Sequence, residues 1–331
     1  MKIVIITEGF SGIGYGHLAR CLAIYQAFEE RGITPIYVAD CDDIGRVFLG
    51  QINLSALDWR RKANDLARLC TDCDVVLIDS YLADTHIYEQ LRKTSRRIAY
   101  LDDYLRIDYP PGVIVNGTIG AERLPYPRKS GHRYLLGVDY APLRKDFWDL
   151  SPRIKRHKVE NVLLVFGGED ARGLTGKTLR YLTTVFPEYT YHVVRGLNPE
   201  GDDDGSDSSR RRFYRNLTAC EFLQLMMSCD LAVSAAGQTI YELARIGLPT
   251  IAVGTAENQR HTIRGWIENG FLQSELWWDD ADLFEKLALE IRDHANPEGE
   301  PHAFLDGQGA RRIAQYLVEG YGPEAPENTR G

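Results

Sequence analysis

No stretch of this 331-residue chain approaches the ~20 consecutive apolar residues that cross a bilayer, so stable membrane insertion through a helix is not expected. The chain starts on "KIVII", which reads as a strand. A basic n-region, an apolar h-region and a small-residue cleavage site are all missing, so no secretory signal is expected. Positive charge is not in excess: a formal charge of −8 argues against a nucleic-acid partner, and the short basic runs at 60–62 and 210–212 read as solvated surface. Cysteine is sparse. The six residues at 21, 41, 70, 73, 220 and 229 form no disulfide framework, and reduced thiols in a cytoplasmic protein are the expectation. Only Cys70 and Cys73 have ligand-like spacing, and no second pair follows to complete a zinc site. No Lys-Ser or Lys-Thr follows the glycines of the first loop, which excludes a P-loop. No metal-binding Asp-x-Asp motif is evident either; "DCDD" at 40–43 and "LDD" at 101–103 are the nearest candidates. Neither a metal nor a cofactor is expected.

What is present is alternation. A chain of this length is expected to form two domains. "KIVII", "TPIYVAD", "DVVLIDS" (74–80), "RRIAYLDD" (96–103) and "GVIVNGT" (112–118) read as strands. Helices are predicted over 17–31, near 42–50, near 59–69 and over 84–94. In the first helix Leu18, Cys21, Leu22, Tyr25 and Phe28 recur at three- and four-residue steps, and Gly32 stands where a C-cap belongs. The pattern stops over 120–152 and restarts at "ENVLLVFGGED" (160–170). "YTYHVVRG", "DLAVSAAG" and "LPTIAVG" follow as strands. A helix with a Thr218–Glu221 capping box, one closed by Gly247 and one over 258–269 accompany them. The acidic insert 198–209 reads as a mobile loop. Strands alternating with helices give an α/β fold of two doubly wound parallel sheets, with a joint near 150–158.

Residues 7–32 pose the functional question. Gly9, Gly12, Gly14 and Gly16 lead from the first strand to His17 at the start of the first helix. Such a loop lets backbone approach a ligand closely and aims helix N–H groups at negative charge. A dinucleotide site laid on Gly12 and Gly14 demands glycine at 17, where histidine stands; Asp40 or Asp42 keeps a nicotinamide enzyme open as an alternative. A histidine at a helix N-terminus is disfavoured as a cation by the macrodipole, so a neutral imidazole there suits a general base. The bland alternative is an imidazole with no chemical task. In the second half, the turn from Ser234 through Gly237 and Gln238 to Thr239 can offer amides and hydroxyls to phosphates. Glu242, one turn on, can accept from a ribose diol, or be a solvated surface carboxylate.

The segments "GIGYGHLARCLAIYQAF", "VVLIDSY", "IAYLDDY", "YLLGVDYAPLRKDF", "VLLVFGGED", "SAAGQTIYELARIGLPTIAV", "ENQRHT" and "DGQGARRIAQYL" run in order over nearly the full length. Together they resemble the GT-B glycosyltransferase architecture. The 234–262 segment resembles the nucleotide-binding motif of the lipid II N-acetylglucosaminyltransferase. The whole chain is similar to the UDP-sugar hydrolase family of the pseudaminic acid pathway and its spore-coat-polysaccharide relatives.

The resemblance implies a sugar- and acceptor-side domain at 1–152, a nucleotide-binding domain at 153–322 whose last helix can pack back on the first domain, and a flexible tail at 323–331. It implies a small-molecule UDP-sugar as partner, with His17 as catalytic base near the anomeric carbon. Gly14 and Gly16 would border the sugar and diphosphate, and Glu8, Asp79, Tyr81, Asp102 and Asp103 would shape the sugar pocket. Gly167, Gly168, Ser234, Gly237, Gln238 and Thr239 would hold the diphosphate, Glu242 the ribose, and Asn258 with Gln259 the sugar or phosphate. The hydrolase family carries Arg-x-Asp at the end of the first strand, and here Ile6, Thr7 and Glu8 stand there. That departure implies a different sugar or acceptor. Water as acceptor makes the chain a metal-independent, inverting hydrolase; another hydroxyl makes it a glycosyltransferase, and no turnover makes it a nucleotide-sugar binder.

Overall fold

The computed structural model describes residues 1–151, 153, 158–196, 208–294 and 302–320. The expected mobile insert 198–209, apart from Ser208 and Ser209, lies outside the described residues, as does the tail 323–331.

The N-terminal lobe runs β1 (Ile3–Gly9), α1 (Gly16–Glu30), β2 (Ile36–Cys41), α2 (Asp43–Leu49), β3 (Leu54–Ala56), α3 (Ala63–Cys70), β4 (Cys73–Asp79), α4 (Thr85–Thr94), β5 (Ser95–Leu101), β6 (Val113–Asn116) and β7 (Arg133–Leu136). The C-terminal lobe runs β8 (Asn161–Val165), α5 (Leu174–Val185), β9 (Thr190–Val194), β10 (Arg211–Tyr214), α6 (Ala219–Ser228), β11 (Leu231–Ala235), α7 (Thr239–Ile246), β12 (Thr250–Gly254), α8 (Arg260–Glu268), β13 (Leu276–Trp277) and α9 (Leu283–His294). A last helix, α10 (Gly309–Glu319), follows.

Each lobe is one parallel sheet, ordered β3-β2-β1-β4-β5-β6-β7 in the first and β10-β9-β8-β11-β12-β13 in the second. All seven residues of β1 and all five of β11 are buried, which is why residues 3–6 and 231–233 are unbroken apolar runs rather than alternating ones. The order reverses between β1 and β4 and again between β8 and β11. Crevices beyond the carboxyl ends of the strands open at such reversals. The five apolar positions read in α1 are all buried. The Thr218–Glu221 capping box forms on α6, and Gly247 closes α7 in the left-handed region at φ 67.

The segment 120–152 departs from the expected irregular stretch, because Arg133–Leu136 adds an edge strand in register with Val113–Asn116. Four residues are too few for periodicity to show. The predicted helix over 258–269 is a 3-10 turn at Glu257–Gln259 running into α8.

Helix α10 leaves the second lobe. Ala310, Ile313, Ala314 and Leu317 share a core with Leu18, Leu22, Tyr25 and Phe28 of α1. Arg311 holds the crossing: it pairs with Glu30 at 2.6 Å and Asp149 at 2.8 Å, and lies over the Trp148 ring at 4.6 Å. Entry to this helix depends on a missing side chain, since a Cβ on Gly309 would stand 2.2 Å from the Ala141 carbonyl oxygen. Gly309→Ala is therefore expected to lower stability by ~1–3 kcal/mol, the usual cost of overpacking, read as a shifted denaturation midpoint.

On α9, burial and then Asp293 push the Glu290 carboxyl up to about 7, and its Oε1 is buried with no hydrogen-bond partner among the described residues. A carboxyl raised in the folded state stabilises below its unfolded pKa, and that stabilisation is lost as pH rises through about 7. Glu290→Gln should thus leave melting at pH 4 unchanged and raise it at pH 8 by roughly 2–4 °C, the shift that ~1 kcal/mol produces.

Candidate active site

Between the lobes lies a cleft of about 1040 Å³, lined from both sides. Gly14, Gly16, His17, Tyr81, Asp102 and Asp103 line it from the first lobe, as do Gly167, Gly168, Gly237, Gln238, Thr239, Glu242, Asn258 and Gln259 from the second. Residues distant in sequence meet here because all of them follow the carboxyl ends of strands.

His17 sits at the start of α1, and β1 pairs β4 so that Thr7 stands beside Asp79. The His17 Nδ1 lies 2.7 Å from Asp79 Oδ1. Arg20, one turn along α1, donates its Nε to Asp79 Oδ2 at 2.5 Å and its Nη2 to Oδ1 at 2.6 Å. Burial would raise the Asp79 carboxyl, but Arg20 and then His17 hold it well below the ordinary carboxylate range. An ionised Asp79 can only accept, so Nδ1 is the donor of this bond, and in the neutral imidazole the lone pair is on Nε2. The imidazole is 5% exposed, and the Tyr81 ring packs edge-on against it at 4.3 Å between centroids. Tyr81 and Arg20 both donate to Asp103, and Asn258 reaches across from the facing lobe to the Tyr81 hydroxyl at 3.3 Å.

Three expected pocket residues stand behind the wall instead. Asp79 is fully buried and spends both oxygens on His17 and Arg20, so it supports the imidazole rather than meeting a sugar. Glu8 is also fully buried; its Oε1 accepts from the Ser80 hydroxyl and the Tyr81 amide, both at 2.9 Å. Its side chain reaches the segment that follows β4, and burial raises its pKa. The Ser234 hydroxyl is buried in β11 and donates to the Ala235 carbonyl at 2.9 Å, outside the lining of the cleft. Asp102 lines the cleft, but its oxygens anchor the following loop through the Leu105 and Arg106 amides and the Tyr109 and Tyr126 hydroxyls.

On the second lobe Glu242 is buried, which removes the solvated alternative. Arg144 donates to its Oε1 from Nε at 3.0 Å and from Nη2 at 2.7 Å. Burial pushes the Glu242 carboxyl up, and Arg144 opposes that. Gln259 braces the adjoining loop by accepting from the Thr255 amide at 2.8 Å.

Arg20 and Arg144 were not singled out from the sequence. The three-residue step from His17 to Arg20 along α1 was a usable signal, whereas nothing local marks Arg144. The acid-rich run 40–43 has structural partners: Asp40 pairs with Arg60 at 3.0 Å and Asp42 caps α2 at the Gly45 amide. Among the described residues, no group of three His, Cys, Asp or Glu side chains offers a metal site, and no helix is long and apolar enough to cross a membrane.

No protein-family model matches the chain. A Helicobacter pylori protein, pseudaminic acid cytidylyltransferase and UDP-2,4-diacetamido-2,4,6-trideoxy-β-L-altropyranose hydrolase, is 26% identical over 265 residues, which cover 78% of this chain and 45% of that one. An uncharacterised protein of Methanocaldococcus jannaschii is 24% identical over 277 residues, 78% of this chain and 57% of its own. The chain thus spans about half the length of these two relatives. The spore coat polysaccharide biosynthesis protein SpsG of Bacillus subtilis is 21% identical over 344 residues, 98% of this chain and 100% of that one. Among solved structures, S. aureus MnaA with UDP superposes with a TM-score of 0.66 at 12% identity, covering 96% of both chains. Acinetobacter baumannii MurG gives 0.53 at 14% identity, covering 96% of this chain and 98% of that one. This chain has the GT-B fold. Its homologues include the H. pylori hydrolase and SpsG, as the ordered motifs implied. His17 and Glu242 line the cleft between its two lobes.

Proposed function

We propose that this chain is a cytoplasmic nucleotide-sugar hydrolase that releases UDP and a free amino or deoxy sugar for surface-glycan synthesis. The observation that carries the reading is the His17–Asp79 bond, which leaves Nε2 as the basic nitrogen of an imidazole lining an interlobe cleft. In the reaction, Nε2 takes a proton from water as its oxygen bonds to the anomeric carbon. The bond from that carbon to the diphosphate oxygen breaks, and its electron pair leaves with UDP. A single displacement inverts the anomeric carbon. The first lobe, 1–152, takes the sugar. The second, 153–322, takes UDP, with the diphosphate at Gly167–Gly168 and the amino end of α7, where backbone N–H groups favour negative charge. Glu242 takes the ribose. The H. pylori relative, whose name includes a UDP-sugar hydrolase, supports water as acceptor.

A second reading, transfer to another hydroxyl, draws on α2. Ile44, Val47 and Phe48 line the cleft from the first lobe yet are exposed, an apolar wall that water alone does not require.

Incubation with UDP-sugars and no acceptor tests the choice. Release of UDP with free sugar is expected, its anomer inverted by NMR. Release only after an acceptor is added points to transfer, and an epimerised UDP-sugar overturns both readings.

A further inference from the structure

The loop between β1 and α1 turns back on itself, with Ile13 and Gly14 donating to the Phe10 carbonyl at 3.1 and 3.0 Å. Its tip, Ser11–Gly12, points amides outward in a conformation that needs glycine at 12, where φ is +94. Both tip amides already meet carboxylates. The Ser11 amide donates to Asp42 Oδ2 at 3.2 Å within the first lobe. The Gly12 amide donates to Glu169 Oε1 at 2.7 Å, and Glu169 belongs to the second lobe. At the same point the Tyr15 ring lies so close to Gly168 that a Cβ there would be 2.9 Å from Tyr15 Cδ2.

The neighbours of Glu169 explain its reach. Asp170 is committed to α5, accepting from the Leu174 and Thr175 amides at 2.8 Å each. Asp42 is likewise committed, holding the Tyr15 hydroxyl at 2.9 Å besides capping α2. Two anchored loops are thus bridged by one carboxylate, beside the glycines that border the diphosphate in the reading above.

We propose that Glu169 is an internal stand-in for the substrate's diphosphate: in the ligand-free protein it occupies the glycine-loop amide and latches the lobes, and it must leave before an anion can sit there. This rests on the nucleotide-sugar reading. It makes the loop selective, because a diphosphate competes for an amide held by a carboxylate and a neutral sugar or nucleoside does not.

The test is calorimetric binding of UDP and of uridine to wild type, Glu169→Gln and Glu169→Ala, with solution scattering of each protein ligand-free. Removing Glu169 frees the Gly12 amide for an anion, so Glu169→Ala is expected to bind UDP roughly threefold to tenfold more tightly. Glu169→Gln should fall between, and uridine affinity should stay within about twofold, since it presents no anion. The ligand-free radius of gyration should increase in Glu169→Ala. Weaker or unchanged UDP binding in Glu169→Ala, or an equal gain for uridine, overturns the latch. If wild type binds no UDP, the nucleotide reading fails. The latch is then decided by the ligand-free radius alone, and an unchanged radius overturns it.

Discussion

Replacing His17 by alanine is expected to cut turnover by roughly 10²–10⁴-fold while leaving UDP affinity within about twofold, the range for a positioned acid–base group. The split follows from the site's division of labour. His17 stands in the first lobe, with Asp79 and Arg20 behind it, while Glu242 and the glycine turns proposed to hold UDP belong to the second. Asp79→Asn is the companion variant. An amide can donate as well as accept, so it no longer forces the proton onto Nδ1, and turnover should fall roughly 10²-fold with the imidazole still present. Steady-state release of UDP measures both, with calorimetry reporting binding. Full turnover in His17→Ala removes the imidazole from the chemistry.

Glu242→Ala is expected to act on binding and stability together. Losing charge-assisted bonds to a ribose costs ~1.5–3 kcal/mol, so UDP should bind about ten- to a hundredfold more weakly. The same change strands Arg144, whose side chain is 10% exposed, in the wall of the cleft. Breaking a buried pair by removing one partner costs ~3–5 kcal/mol, which denaturation of the ligand-free protein will show. Glu242→Gln separates the effects, because it keeps an acceptor for Arg144 but loses the charge. It should recover part of the stability and little of the affinity. UDP affinity that does not move in either variant would reject the ribose assignment.

The parts of the site legible in the sequence are those set by local chain geometry. His17 and its glycine loop follow one strand directly, and Glu242 stands in the first turn of a helix with a clear C-cap, so both could be placed beyond strand ends. Glu8, Asp79 and Ser234 were legible as strand-end residues but not as buried ones. Which of two adjacent side chains faces the cleft depends on the sheet's neighbours, and here Ser80, Arg20 and Ala235 bond them from within. Arg144 escaped notice because its partner is 98 residues away in the chain. Helix α5 was missed although Leu174, Leu179 and Leu182 are buried in it, since its threonines and glycine dilute the apolar pattern.

By itself the sequence determined two parallel α/β lobes, a glycine loop opening onto a histidine, and a second-lobe turn opening onto a glutamate. Periodicity and turn chemistry act over a few residues, and those features need no more. Only the tertiary structure decided that Asp79 orients the imidazole, that Arg144 neutralises Glu242, that α10 returns to the first lobe, and that Glu169 closes on Gly12. Each of these joins groups remote in the chain, and such pairings exist only once the packed lobes have brought opposite charges, apolar faces and unpaired amides together.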